Sequence, residues 1–93
     1  MKTKNISYNE AKQLLLQGVE IKLPEWEGYW KFNAENKTIE AHLKNGNVAQ
    51  AMAEYTLHDN WEIATIENCP ILKEEIETRA LIQEGKSNTL NQL

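Results

Sequence analysis

Apolar positions recur first at helical spacing. Tyr8, Ala11, Leu14 and Leu15 fall on one face of a 3.6-residue period. Ser7 stands before them as an N-cap, with Glu10 three residues on to complete a capping box. Gly18 follows as a natural stop. The pattern predicts an amphipathic helix over 8–17, with Ile6 as the first buried anchor.

The period then changes to two. Val19, Ile21 and Leu23 alternate with Glu20 and Lys22, which predicts a half-buried strand with Lys22 on its polar face. Pro24 to Gly28 makes a corner, because Pro24 fixes its own φ and Gly28 tolerates a positive one. A second strand starts at Tyr29, with Trp30 and Phe32 facing one way and Tyr29 and Lys31 the other. Asn33–Asn36 is a turn, and Thr38 to Leu43 alternates again. Asn45-Gly46 signals a primed hairpin turn. Residues 49–55, AQAMAEY, are ambiguous. Ala and Met favour helix, while the position after a hairpin favours strand. A short strand at 48–52 is expected, then a loop or single helical turn to Asp59. Trp61, Ile63 and Thr65 form a last strand, broken at Asn68-Cys69-Pro70. From Ile71, apolar residues spaced by four (Leu72, Ile76, Ala80) predict a C-terminal helix over about 71–84, ended by Gly85 and followed by a frayed tail at 86–93. That helix either covers the sheet or meets a second subunit. The fold class is α+β: an N-terminal helix, an antiparallel sheet of four to five strands and an added C-terminal helix, in a single domain with its core at about 6–66.

Composition narrows the classes of function. The net charge of −4 and a single arginine, Arg79, argue against a DNA or RNA backbone as partner. One cysteine, Cys69, permits no intrachain disulfide, which fits a reducing, cytoplasmic compartment. No stretch is apolar enough for a membrane span, and the N-terminus lacks a signal-type apolar region. The expected protein is cytosolic and unprocessed. Catalytic patterns fail one after another. His42 lies on a strand and His58 beside Asp59 in a loop; no serine sits in a nucleophile elbow; two His and one Cys match no zinc spacing; four isolated Gly make no phosphate loop. Glu25 and Glu27 flank Trp26 and point the same way, yet such pairs are ordinarily solvated charge.

Aromatic residues are the remaining signal. Trp26, Tyr29 and Trp30 crowd into LPEWEGYW, residues 23–30. Such rings either fill a core or stack on a planar guest. Trp61 is assigned mainly to the core.

The helix ending in Gly (YNEAKQLLLQG), the short strand VEIKL, the W-x-G corner of Trp26 and Gly28, and the Asp59–Ile63 string DNWEI together resemble the phage Thoeris anti-defence sponges of the second type, over about residues 6–64. Where that family carries basic residues before the corner, this chain has Leu23-Pro24-Glu25, and Glu27 replaces a corner Asn. The resemblance implies a small α+β domain assembled as a homo-oligomer, which binds a cyclic nucleotide immune signal without cleaving it inside an infected bacterial host; some relatives are CRISPR–Cas inhibitors. On that reading Trp26 and Trp30 stack on bases, Tyr29 and Tyr55 line the wall, Lys22 and Lys31 meet phosphate, and Asp59 or Asn60 reads a base edge or ribose hydroxyl. No catalytic residue, metal or cofactor is expected. The alternative is an acidic inhibitor, of anti-CRISPR type, that binds an immune nuclease or effector directly. A third is a regulatory or structural module without a ligand.

Overall fold

The α+β architecture is present. A computed structural model describes residues 2–92, and the side chains of residues 2–81. Helix α1 (Tyr8–Leu16) precedes strands β1 (Ile21–Lys22), β2 (Tyr29–Asn33), β3 (Thr38–His42), β4 (Val48–Gln50) and β5 (Glu62–Ile63), and helix α2 (Pro70–Gln92) follows. The sheet order is β4-β3-β2-β1-β5, with every neighbouring pair antiparallel. The chain thus meanders outward from β1 to β4, then crosses back to lay β5 on the far side of β1. Among the described residues no helix is long and apolar enough to cross a membrane.

Local chemistry explains the boundaries. Ser7 Oγ accepts from the Glu10 amide at 3.3 Å, which caps α1. At the other end Gly18 takes φ 95°, its N–H bonds Leu15 O and that of Val19 bonds Leu14 O. This is the Schellman arrangement that Gly18 forecasts. Asn33 Oδ1 accepts from the amides of Glu35 and Asn36, which closes the β2–β3 turn. Asn45 (φ 62°, ψ 28°) and Gly46 (φ 74°) both take the positive φ of a primed turn. Leu43 N–H bonds Asn47 O while Asn47 N–H bonds Lys44 O, so two residues face one and the strand bulges there. The ambiguous 49–55 segment resolves into β4 and a 3-10 turn at Ala53–Leu57.

Strand register sorts side chains into two rows. Ile63, Ile21, Trp30, Ala41 and Ala49 are successive neighbours in one row. Glu62 and Lys22 lead the next, which continues through Tyr29 to His42 and Val48. Adjacent residues point to opposite faces. The apolar row joins Ala11 and Leu15 of α1, with Ile6, Leu23 and Trp61, in the main core. Tyr29 of the polar row belongs instead to a second cluster with Ala64, Cys69, Ile71 and Leu72.

Three expectations are corrected. Lys22 is not on a solvated face: its side chain is 1% exposed and pairs with Glu62 Oε1 at 3.0 Å. Period two sends Lys22 away from the main core, but the second cluster covers that face too. Next, β1 and β5 are two-residue strands; Trp61 instead makes an isolated bridge, exchanging both backbone hydrogen bonds with Ile6 at 2.8 and 3.0 Å. Finally, Gly85 does not end α2, which runs from Pro70 to Gln92; Leu93, the last residue of the expected tail, lies outside the described residues. Nor does α2 blanket the sheet: Ile71 and Leu72 are buried, whereas Ile76 is 43% and Leu81 67% exposed.

Candidate functional site: an aromatic cleft at the first corner

Four donors hold three backbone carbonyls of the corner, those of Leu23, Pro24 and Glu27. Trp26 N–H bonds Leu23 O at 3.0 Å, closing a turn with Pro24 second in line. Buried Lys22 donates from Nζ to Pro24 O at 3.2 Å. Glu27 O accepts from Cys69 Sγ at 3.1 Å and from the Ile71 amide at 3.3 Å, in the first turn of α2. Gly28 passes so close to strand β3 that a Cβ there would collide with His42 O. The corner is therefore fixed from below by the lysine and from the side by α2.

Trp26 packs from this corner onto the edge of the main core. Its ring lies 5.7 Å from Trp30, 5.4 Å from Trp61 and 4.9 Å from Tyr55, the last two edge-on. Trp30 and Trp61 are themselves 4.8 Å apart, and Tyr8 meets Trp61 at 6.0 Å. Each well-set aromatic pair adds about 0.5–1.5 kcal/mol beyond its buried area. Trp61 is fully buried and donates its indole N–H to His58 O, which confirms its core assignment. Trp26 remains half-buried.

Beside Trp26 opens a cleft of about 540 Å³. Four of the eight expected ligand residues border it, but unequally: Trp26 and Tyr55 are half-buried beside it, Trp30 is 3% exposed in the main core, and Tyr29 turns its ring to the opposite face. The other four do not. Lys22 is sealed in its ion pair. Lys31 sits one residue beyond Trp30, on the opposite face of β2, and Asp59 and Asn60 are exposed outside the lining. Leu43, Lys44, Met52 and Ile71 line the cleft without having been foreseen. Only the turn signal at Asn45-Gly46 hinted that the β3–β4 hairpin would fold back over the corner. The charge at the rim is mixed: Lys44 Nζ approaches Glu27 Oε2 at 3.6 Å, and Glu25 stands nearby, both acids solvent-exposed. A flat, largely apolar guest suits such walls better than a compact anion.

The opposite face carries a polar cluster. Tyr29 donates its phenol to Glu75 Oε2 of α2 and stacks on His42, centroids 4.9 Å apart and planes 13° off parallel. His42 lies between two acids, with Nδ1 3.9 Å from Glu75 and Nε2 3.7 Å from Glu40. Burial first, then the hydrogen bond to Glu75 and its charge, push the Tyr29 phenol far above its ordinary range. A phenol held so firmly protonated ties α2 to the sheet and is unsuited to act as a base. Among the described residues no group of three or more His, Cys, Asp or Glu could hold a metal ion.

Comparison of the chain with protein-family models, with curated proteins and with solved structures finds no significant match.

Proposed function

We propose that this chain is a non-catalytic binding protein that sequesters a nucleobase-bearing ligand, a cyclic nucleotide immune signal, in the cleft at the Pro24–Gly28 corner. One observation carries the reading. Trp26 is braced by three other aromatic rings yet keeps part of its surface toward an open hollow of about 540 Å³. A ring used purely as filler would have no hollow beside it. The likeness to the phage sponges supports the identity of the guest, and with it an anti-defence role and a homo-oligomeric assembly. Lys44, the one cation in the lining among the described residues, is the group that would meet phosphate at the rim, in exchange for its contact with Glu27.

Calorimetry with a panel of cyclic di- and trinucleotides tests this. Saturable binding is expected, weakened by Trp26→Ala by the roughly 1–3 kcal/mol that a base–aromatic stack contributes, with thermal unfolding confirming that the variant folds. Absence of heat with every nucleotide overturns it.

A second reading is favoured by the acidic surface. Glu25 and Glu27 at the cleft and Glu74 and Glu75 on α2 flank the β3–β4 hairpin on both faces. They suit an inhibitor that docks on a basic immune effector. Co-elution with such an effector, lost in high salt, tests it.

A further inference from the structure

The two edges of the sheet differ. At β5 the N-terminal segment closes the edge: Ile63 N–H bonds Thr3 O at 2.8 Å, and Ile6 bridges Trp61. At β4 nothing does. Leu43 N–H to Asn47 O and Ala51 N–H to Ile39 O fix which β4 residues face β3. By the alternation of an antiparallel ladder, Val48 and Gln50 then aim their N–H and C=O groups outward. Neither has another backbone partner among the described residues. Edge strands are ordinarily blunted by charge, proline or a cover. Here the stretch from Asn45 to Ala53 holds no charged residue and no proline, and Val48 is 52% exposed.

This open edge runs between two hollows on opposite faces. Ala49 and Gln50 border the 540 Å³ cleft, with Leu43, Met52 and Tyr55. Val48 borders a second hollow of about 510 Å³, with Glu74, Glu75 and Arg79. Alternate side chains of an added strand point to opposite faces. One set would enter an apolar cleft and the other an acidic hollow, where Arg79 already lies 3.9 Å from Glu75 and Glu74 has no cationic partner among the described residues.

We propose that β4 is a docking edge for an extended segment of another protein whose side chains alternate between bulky apolar and basic. The segment would add a sixth strand, with main-chain hydrogen bonds giving affinity and the two hollows giving selectivity. Charge complementarity selects this occupant over a second copy. A paired β4 would offer only Val48, Ala49 and Gln50, with no base for the acidic hollow and nothing large for the cleft. The inference deepens the acidic-inhibitor reading by naming its contact, and it does not require the nucleotide.

The probe is a blocked seven-residue peptide alternating lysine with leucine and phenylalanine, set against the same peptide with glutamate for lysine. Saturable binding of the basic peptide is expected by tryptophan fluorescence, with the Val48 and Gln50 amides becoming protected from exchange. Val48→Pro deletes one outward N–H and should weaken binding roughly two- to tenfold. Asn47 already has φ −70° and ψ 138°, the conformation a following proline demands. Glu74→Gln, at an exposed position, should also weaken binding and leave the fold untouched. Binding undiminished by Val48→Pro overturns the edge while leaving an acidic-surface inhibitor standing. Equal binding of the acidic peptide, or no binding of either, overturns the stated occupant. So does a stable dimer that Val48→Pro dissolves, since the edge would then belong to a second copy.

Discussion

Lys22 shows how one side chain can serve the fold where function was expected of it. Its ammonium is buried, bonds Pro24 O and faces Glu62 at 3.0 Å, with the glutamate only 15% exposed. Removing one member of such a pair strands the other charge in a poorly solvated place. Glu62→Met should therefore cost about 3 kcal/mol or more, and Lys22→Met combined with Glu62→Met much less than the sum of the two single changes. Urea denaturation of the four proteins measures the cycle. Tyr29 makes a second residue-scale prediction. Its phenol is raised by burial and Glu75 above its ordinary 10.0, and burial likewise raises the Cys69 thiol above 9.0. Both groups bind their protons more tightly folded than unfolded, so their contribution is full below about pH 9 and declines as pH rises beyond. Stability should fall on the alkaline side from that pH upward. Tyr29→Phe should lower stability at neutral pH, through the lost bond to Glu75, and flatten the part of the decline above pH 10. Denaturation midpoints from pH 7 to 11 give the comparison; an equally steep decline in Tyr29→Phe would refute the assignment.

Elements that rest on neighbours in sequence were legible in advance; elements that rest on distant partners were not. Ser7, Gly18 and Asn45-Gly46 each act within a few residues of themselves, and the cap, the Schellman stop and the primed turn all appear where those residues stand. The aromatic half of the site was legible for the same reason, since Trp26, Tyr29 and Trp30 lie on one corner. Its cationic half was not. Alternation correctly turned Lys22 away from the main core, but Glu62 and the start of α2, some forty residues later, make that face a second interior. The β3–β4 hairpin supplies Leu43, Lys44 and Met52 for a comparable reason, through a register that sequence alone does not reveal. The corner also depends on a backbone approach. Gly28→Ala would set a Cβ against His42 O, with Ile71 Cδ1 3.5 Å away on the other side. Backbone cannot yield as a flexible side chain does, so a loss of about 1–3 kcal/mol is expected. Because Gly28 lines the cleft, Trp26 fluorescence should shift with it. A variant of unchanged midpoint and emission would show that the corner has room for a Cβ at position 28.

At the scale of the whole molecule, stability should grade across the sheet. One side is closed by Thr3 and Ile6, packed over Trp61 and against α1; the other ends in β4, all three residues exposed. Local opening costs least where few apolar contacts must break and where backbone groups already meet water. The amides of Val48 and Gln50 should therefore exchange fastest within the sheet. The Trp61 amide, bonded to Ile6 O at 3.0 Å beneath a fully buried indole, should exchange only when the chain unfolds as a whole. The same asymmetry predicts the effect of trimming the start of the chain. Deleting residues 1–6 removes the Ile6 side chain from the core, worth about 2–5 kcal/mol for a buried residue of that size, and frees the backbone bonds it exchanges with Trp61. Most of the stability of a small domain would go with it. The closed edge would then exchange as readily as β4, and the Trp61 amide would lose its protection. If the shortened chain instead kept its midpoint and its slow Trp61 amide, the N-terminal segment would be ornament, and the β5 side would be as open to an added strand as the β4 side.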